Sequence, residues 1–448
     1  MNYGFVSCIP LLVLIVGALI TKRIAEFMVI ASTIGVILVC KNDFFNGYVD
    51  AMYGVLANPS YQFILIILIC FGIVIKLFQK SGGMLGFAQI ASKLVKSRTS
   101  ALILAWFADF IMFVDDYLNT LGTTFSMREV TDRNGIPREH LAYQVSVMAP
   151  SLCVLIPFAS WPAFTVGLLS EQGLGFEEYL KAIPTMWFPI FTIIICFLVA
   201  IGVIPKVGLL KESYKRVDDG GSTQYKEETG GALVNLEPEE DIKPTSPLNF
   251  IIPAAVLIVV VIIYDNDLVH GLLATIATQV IMYMSQRIIS PKEVMNICFD
   301  GAKSMANMAM LVFFAFILNE CNNTMGFANY IIGGISDVIP VAFLPLMIFA
   351  VVAFLTFASA GYWIMQVITI PIFIPLAYSV GLSPVTVISC IMSGVVMGSI
   401  TCFYSDVIFM TSAGTGVSNI RQVRVSMPYV MAAAVISAVG YTITGFIQ

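Results

Sequence analysis

Four aspartates, Asp109, Asp115, Asp116 and Asp406, stand in or beside stretches too apolar to hold a charge at low cost. At membrane depth a carboxylate costs roughly 3 kcal/mol on insertion scales, so it needs a partner, a bound cation, a proton or a water-filled cavity. For Asp109 a structural role, capping a helix or pairing with a nearby Arg, weighs as much as a functional one. Asp116 and Asp406 are the stronger candidates, because polar and aromatic residues crowd around them. Tyr117 and Asn119 follow the Asp115-Asp116 pair, and Cys402, Phe403, Tyr404 and Ser405 precede Asp406. Two further clusters have the same character: Ser160, Trp161 and Pro162, and Ser359, Ala360, Gly361, Tyr362 and Trp363. Hydroxyl and amide oxygens of Asn119, Ser160, Ser359 and Ser405 would complete an oxygen shell for a hard cation, with Asp116 and Asp406 as the candidate Na+ ligands. A carboxylate with a raised pKa would instead exchange a proton. The aromatic walls suit an ammonium group through cation–π contact, and no Lys or Arg lies at that depth to receive a carboxylate. Nothing resembles a nucleophile–base pair, a metal cluster or a phosphate loop, which argues against an enzyme and against any cofactor beyond a coupling Na+ or H+.

Corresponding places in two halves supply these clusters. FASWPAF at 158–164 aligns with FYSDVIF at 403–409, an offset of 245, which sets Ser160 on Ser405 and Trp161 on Asp406. GYVDAM pairs with ICFDGA (Asp50 on Asp300), LGFAQI with MGFANY, FVDDY with FASAG, and GIPREH with GLSPVT, all in chain order at offsets of 240 to 250. A duplicated membrane unit of this kind points to a secondary transporter, whose binding site lies where the two copies meet.

At 58% hydrophobic and 11% charged residues the chain is a polytopic membrane protein, and its net charge of −5 carries no sign of nucleic-acid binding. Mean hydropathy is +0.90. Seven of the nine cysteines fall in or at the ends of apolar runs without metal-ligand spacing, and His140 and His270 are far apart, so a Cys/His metal site is not expected. The first apolar run has Lys22 and Arg23 after it and no basic residue before it, which fits a first transmembrane helix rather than a cleaved signal.

Spanning stretches fall near 4–21, 24–40, 59–78, 141–168 and 182–204, and again near 249–264, 268–286, 304–320, 385–411 and 425–446. Between the third and fourth of each set lies an apolar run interrupted by polar residues, at DDYLN and at ASAG, which reads as a re-entrant hairpin. The expected fold is therefore all-α, with two inverted repeats of five transmembrane helices (1–204 and 248–448), each carrying a hairpin and a broken helix, joined by a flexible cytoplasmic linker over 205–247. Pro157 and Pro162 break span four, while Gly394 and Gly398 weaken span nine. Amphipathic pieces near 44–56, 84–97, 291–301 and 325–336 lie along the interface. Starting outside, ten spans leave only Lys41 and Lys181 of the 23 Lys and Arg on the outer side, in accord with the positive-inside rule. Both termini are then extracytoplasmic.

The segment FVDDYLNTLGTTFSMREVTDRNGIPREHLAYQVSVMAPSLCVLIPFASWPAF (113–164) resembles the most characteristic region of the NhaC-type Na+/H+ antiporters, and GSITCFYSDVIFMTSAGTGVSNIRQVRVSMPYV (398–430) resembles their second signature. The chain departs from that pattern at Ser146, at Ser399 and Ile400, and at Ser359 to Tyr362 before Trp363. The resemblance implies an ion-coupled antiporter in a prokaryotic cell membrane, in contact with lipid and working as a homodimer. The rival reading is Na+- or H+-coupled movement of an amino acid, an amine or another small organic solute. An ion channel fits less well, because channels repeat filter residues around a pore rather than inverting a hairpin-bearing unit.

Overall fold

The computed structural model describes residues 3–21, 24–83, 86, 95–225, 243–264, 267–327, 330, 340–403 and 405–447, and no strand occurs among them. Tyr404, most of the two interfacial pieces 84–97 and 325–336, and linker residues 226–242 lie outside the described residues.

The first half runs through α1 (Ile9–Thr21), α2 (Ile24–Cys40), α3 (Phe44–Ala57), α4 (Pro59–Ser81), α5 (Arg98–Ile111), α6 (Asp116–Arg133), α7 (Arg138–Leu155), α8 (Ser160–Ser170), α9 (Phe176–Ala182) and α10 (Trp187–Ala200). After α11 (Gly208–Asp218) the second half follows as α12 (Leu248–Ile263), α13 (Leu268–Ser285), α14 (Pro291–Ser304), α15 (Ala306–Met325), α16 (Leu344–Ser359), α17 (Tyr362–Val380), α18 (Pro384–Thr401), α19 (Asp406–Thr415) and α20 (Asn419–Ile447). Helix starts at 116, 138 and 160 recur 246 residues later at 362, 384 and 406. The duplication is thus visible as element order, one residue off the 245 register of the broken-span motifs. Ser160 corresponds to Asp406, and Asp116 to Tyr362.

Among the described residues, seven helices are long and apolar enough to cross a membrane, or up to nine when each of two bent pairs is one span, with shorter apolar helices at Gly4–Gly17 and Leu248–Ile263. α7 and α8 bend by 44°, and the apolar run at 182–204 begins within a second bent pair, Phe176–Thr185 with Trp187–Ala200, at 50°. Both arms of the second hairpin, Val341–Ser359 and Tyr362–Val380, have enough length and apolarity to cross on their own.

Packing crosses between the halves reciprocally: α2 lies on α15, and its counterpart α13 lies on α4. Lipid tails offer helices no hydrophobic drive to associate, so close approach depends on small residues. Gly394 and Gly398 act in this way, correcting their reading as helix weakeners. A Cβ on Gly394 would stand 2.8 Å from the Phe349 carbonyl oxygen, and one on Gly398 would stand 2.6 Å from that of Ala353. These two glycines seat α18 on α16, while the helix itself continues unbroken to Thr401.

The linker is ordered over part of its length, which corrects the expectation of a flexible tether. Leu210, Ser213 and Tyr214 form one buried face of α11 at helical spacing. Arg216 reaches both oxygens of the fully buried Glu139 at 2.9 Å, Arg421 of α20 reaches Oε1 of the same carboxylate at 2.9 Å, and Asp218 pairs with Arg98 at 2.7 Å. Glu139 is thus shared by α7, α11 and α20, and its charge is met by two guanidinium groups.

Candidate functional site

Four helix N-termini meet at one place. α6 and α17 begin at the hairpin tips, and α8 and α19 begin at the breaks in the long helices. Asp116 Oδ1 accepts the Trp161 indole N–H at 3.1 Å, and its Oδ2 lies 3.3 Å from the Tyr362 hydroxyl. Tyr117 donates to Asp406 Oδ2 at 3.0 Å, and the Tyr362 hydroxyl lies 2.6 Å from that of Tyr117. Trp161 stacks on Tyr362 with centroids 4.6 Å apart, and Trp363 tilts against Trp161 at 5.6 Å.

Each half contributes a carboxylate and a phenol. Asp116 is wholly buried and Asp406 is exposed, so the chain Asp116–Tyr362–Tyr117–Asp406 runs from the interior to an accessible face. One phenolic hydrogen cannot serve two acceptors. If Tyr362 donates to Tyr117, and Tyr117 to Asp406, the contact between Asp116 and Tyr362 is filled by a proton on Asp116. Helix N-termini present unpaired N–H groups and a partial positive charge, which favours carboxylates at their starts. α8, α17 and α19 have no side-chain cap; the first N–H of α8, on Ser160, goes to the Val114 carbonyl, while those of α17 and α19 remain available to this site.

Other expected ligands have different tasks. Asp115 is the N-cap of α6: its Oδ1 accepts from Tyr117 and Leu118 N–H at 3.0 and 3.1 Å. Its Oδ2 accepts from the Ser160 hydroxyl at 2.9 Å, and Ser160 N–H donates to the Val114 carbonyl at 2.9 Å. Those bonds fasten the first hairpin tip to the break between α7 and α8. Asn119 turns away from the carboxylates and donates to the Asp109 carbonyl at 2.7 Å. Ser359 donates back to Leu355 at 2.8 Å and caps Gly361 N–H, and Ser405 donates to the Ser399 carbonyl at 2.7 Å. These serines close turns. Of the expected site residues, the structure brings together Asp116 and Asp406 with two further candidates, the phenols of Tyr117 and Tyr362. Their pairing has a sequence signal only in the 246 register, which places Tyr362 at the position of Asp116.

Asp109 is neither a helix cap nor an ion-pair partner, correcting both expectations: it lies inside α5, wholly buried, and neither carboxyl oxygen has a hydrogen-bond partner. No group of three or more His, Cys, Asp or Glu that could hold a metal ion occurs among the described residues.

A second polar region lies apart from this site. Asp50, Asn58, Glu171, Asn319 and Glu320 line a cavity of about 480 Å³. Glu171 follows the end of α8 and accepts from Asn58 at 3.1 Å and Asn319 at 3.0 Å. Burial pushes its carboxyl up to about 7 despite those two bonds, and Glu320 adds to the rise.

Comparison with known proteins bears on the whole arrangement. An uncharacterized protein of Haemophilus influenzae is 26% identical over 490 residues, covering 98% of this chain and 91% of that relative. The YdaH transporter of Alcanivorax borkumensis superposes with a TM-score of 0.60 at 13% identity, over 90% of this chain and 89% of its own, which shows a shared fold. MtrF of Neisseria gonorrhoeae superposes at 0.48 with 14% identity over 90% and 83% of the two chains. The family model for the Na+/H+ antiporter family matches residues 152–446, well over half of the sequence and including α8, α17 and α19 of the site, so this chain, an integral membrane transporter, belongs to the Na+/H+ antiporter family.

Proposed function

We propose that this protein is an NhaC-type Na+/H+ antiporter working by alternating access, with its two halves as inverted repeats and both termini outside. The observation that carries this reading is the hydrogen-bonded chain from buried Asp116 through Tyr362 and Tyr117 to exposed Asp406. Two carboxylates drawn from opposite halves can share a cation or hold protons in its place, and that competition is the basis of exchange. The phenols bring a proton between the two acids without a separate cavity. Rocking one half against the other would part Tyr117 from Tyr362 and break the chain, so cation-loaded and proton-loaded states would open to different sides.

One observation favours the second reading, movement of an organic solute. The Trp363 indole N–H and the Gln366 amide nitrogen are buried without acceptors beside the uncapped starts of α8 and α17. A carboxylate-bearing amine would satisfy both those donors and the two aspartates.

Purified protein in liposomes decides between them. Addition of Na+ or Li+ alone should dissipate an imposed pH gradient; dissipation only when an amine or amino acid is also present replaces antiport with the second reading. Cysteine introduced at Gly220 should label only from the cytoplasmic side, and labelling from outside intact cells would overturn the topology.

A further inference from the structure

Asp109 is a carboxyl group with nothing to hold its charge. It sits near the end of α5, packed between α6, α7 and α10, with no exposed surface and no hydrogen bond to either oxygen. Thr123 of α6 and Gln144 of α7 face it, with the Cys196 thiol of α10 nearby and Tyr143 beside that thiol. The basic residues of these elements lie toward helix ends and are engaged elsewhere: Arg98 with Asp218, Arg128 with the Gly414 carbonyl, Arg133 with Glu129, Arg138 with Asp132, and His140 through Nδ1 with the Tyr214 hydroxyl. The nearest other acids in sequence, Asp115 and Asp116, lie at the start of α6 and take their own donors.

An unpaired ionised carboxylate in such surroundings is so costly that it binds a proton instead. A carboxylic acid then needs an acceptor for its O–H. Gln144 provides one, because its Nε2 donates to the Leu102 carbonyl at 3.3 Å while its Oε1 is buried without a donor. The other local hydroxyl is spent, since Thr123 lies 3.4 Å from Asn119 Oδ1 and 3.5 Å from Met112 Sδ. One added hydrogen therefore satisfies two orphaned groups, and it needs no empty volume.

We propose that Asp109 is a second proton-binding site, holding its proton against Gln144 Oε1 and exchanging it during transport, separately from the Asp116–Asp406 pair. The position suits this role. Asn119, one turn beyond the hairpin tip, clamps the backbone of Asp109 through its carbonyl, so movement of the tip that carries Asp116 would disturb the Asp109–Gln144 contact.

The transport role rests on proton-coupled function, whereas protonation itself does not, and the two are read separately. Infrared spectra of the full-length protein in lipid vesicles, recorded across pH in H2O and D2O, report protonated carboxyl groups through their carbonyl stretch. Asp109→Asn should remove a carboxylic-acid band that Asp116→Asn retains, because the amide keeps the shape and can donate to Gln144 in place of the O–H. Gln144→Met should leave that band present at a shifted frequency. In transport assays Asp109→Asn should remove one step from the pH profile while the protein stays folded. A spectrum unchanged by Asp109→Asn overturns the site; a lost band with an unchanged pH profile overturns the exchange. If the wild-type protein moves no protons with any cation, the antiport reading falls while the infrared result still decides whether Asp109 is protonated.

Discussion

The hydroxyls of Tyr117 and Tyr362 lie 2.6 Å apart, joining the first turns of two helices that occupy corresponding places in the two halves of the chain. Each phenol also reaches a carboxylate of the opposite half: Tyr117 reaches Asp406 and Tyr362 reaches Asp116. The arrangement nearly exchanges with itself when the halves are swapped, and the link breaks if either half moves without the other.

Removing either hydroxyl should interrupt proton movement between the acids while leaving the aromatic packing in place. A hydrogen bond to a charged group contributes about 1.5–3 kcal/mol, which corresponds to roughly tenfold or more in rate. Tyr117→Phe is therefore expected to slow proton-coupled flux in liposomes by at least that factor while the protein remains folded. Wild-type flux in Tyr117→Phe would exclude the relay.

Replacing the acids keeps shape and removes charge. Asp116→Asn and Asp406→Asn should each abolish the dependence of transport on Na+ and on pH while expression stays normal. Asp43→Asn is the control, because Asp43 is exposed and accepts from Asn46 at 2.7 Å. Unchanged cation dependence in both central variants would remove them from the site.

The linker separates into two behaviours. Deleting 226–242 should leave transport largely intact. Arg216→Ala should destabilise the protein by about 3 kcal/mol, at the low end for breaking a buried pair because Arg421 still meets Glu139. Thermal unfolding in detergent measures it, and a shift no larger than that of an exposed pair such as Lys181–Glu177 would show that α11 is not held through Glu139.

Glu171 sets a pH dependence of stability. Its folded-state value, about 7, lies above the ordinary 4.5, so the folded protein binds the extra proton between those values. Stability should therefore fall as pH rises from about 5 to 7 and level off above. Glu171→Gln should flatten that slope in melting experiments across pH, and an identical slope in the variant would place the titration elsewhere.

Hydropathy, basic-residue placement and repeated motifs are local properties of the chain, and they sufficed for the all-α membrane architecture, the duplicated order and the breaks at Pro157 and before Asp406. They also marked Asp116 and Asp406, because a carboxylate in an apolar run is conspicuous without knowledge of its neighbours. Tertiary structure decided what each polar group faces. Asp115 looks like a ligand in sequence but spends its oxygens on the α6 cap and Ser160, and Asn119 serves the Asp109 carbonyl. Tyr117 meets Asp406 across 289 positions, and Tyr362 meets Asp116 across 246. Arg216 converts part of an apparently flexible linker into a docked helix only because α7 buries Glu139 beneath it. Such partners are fixed by how helices cross and by which side of each helix faces inward, and here those facing sides are polar, small or aromatic in ways that apolar periodicity does not encode.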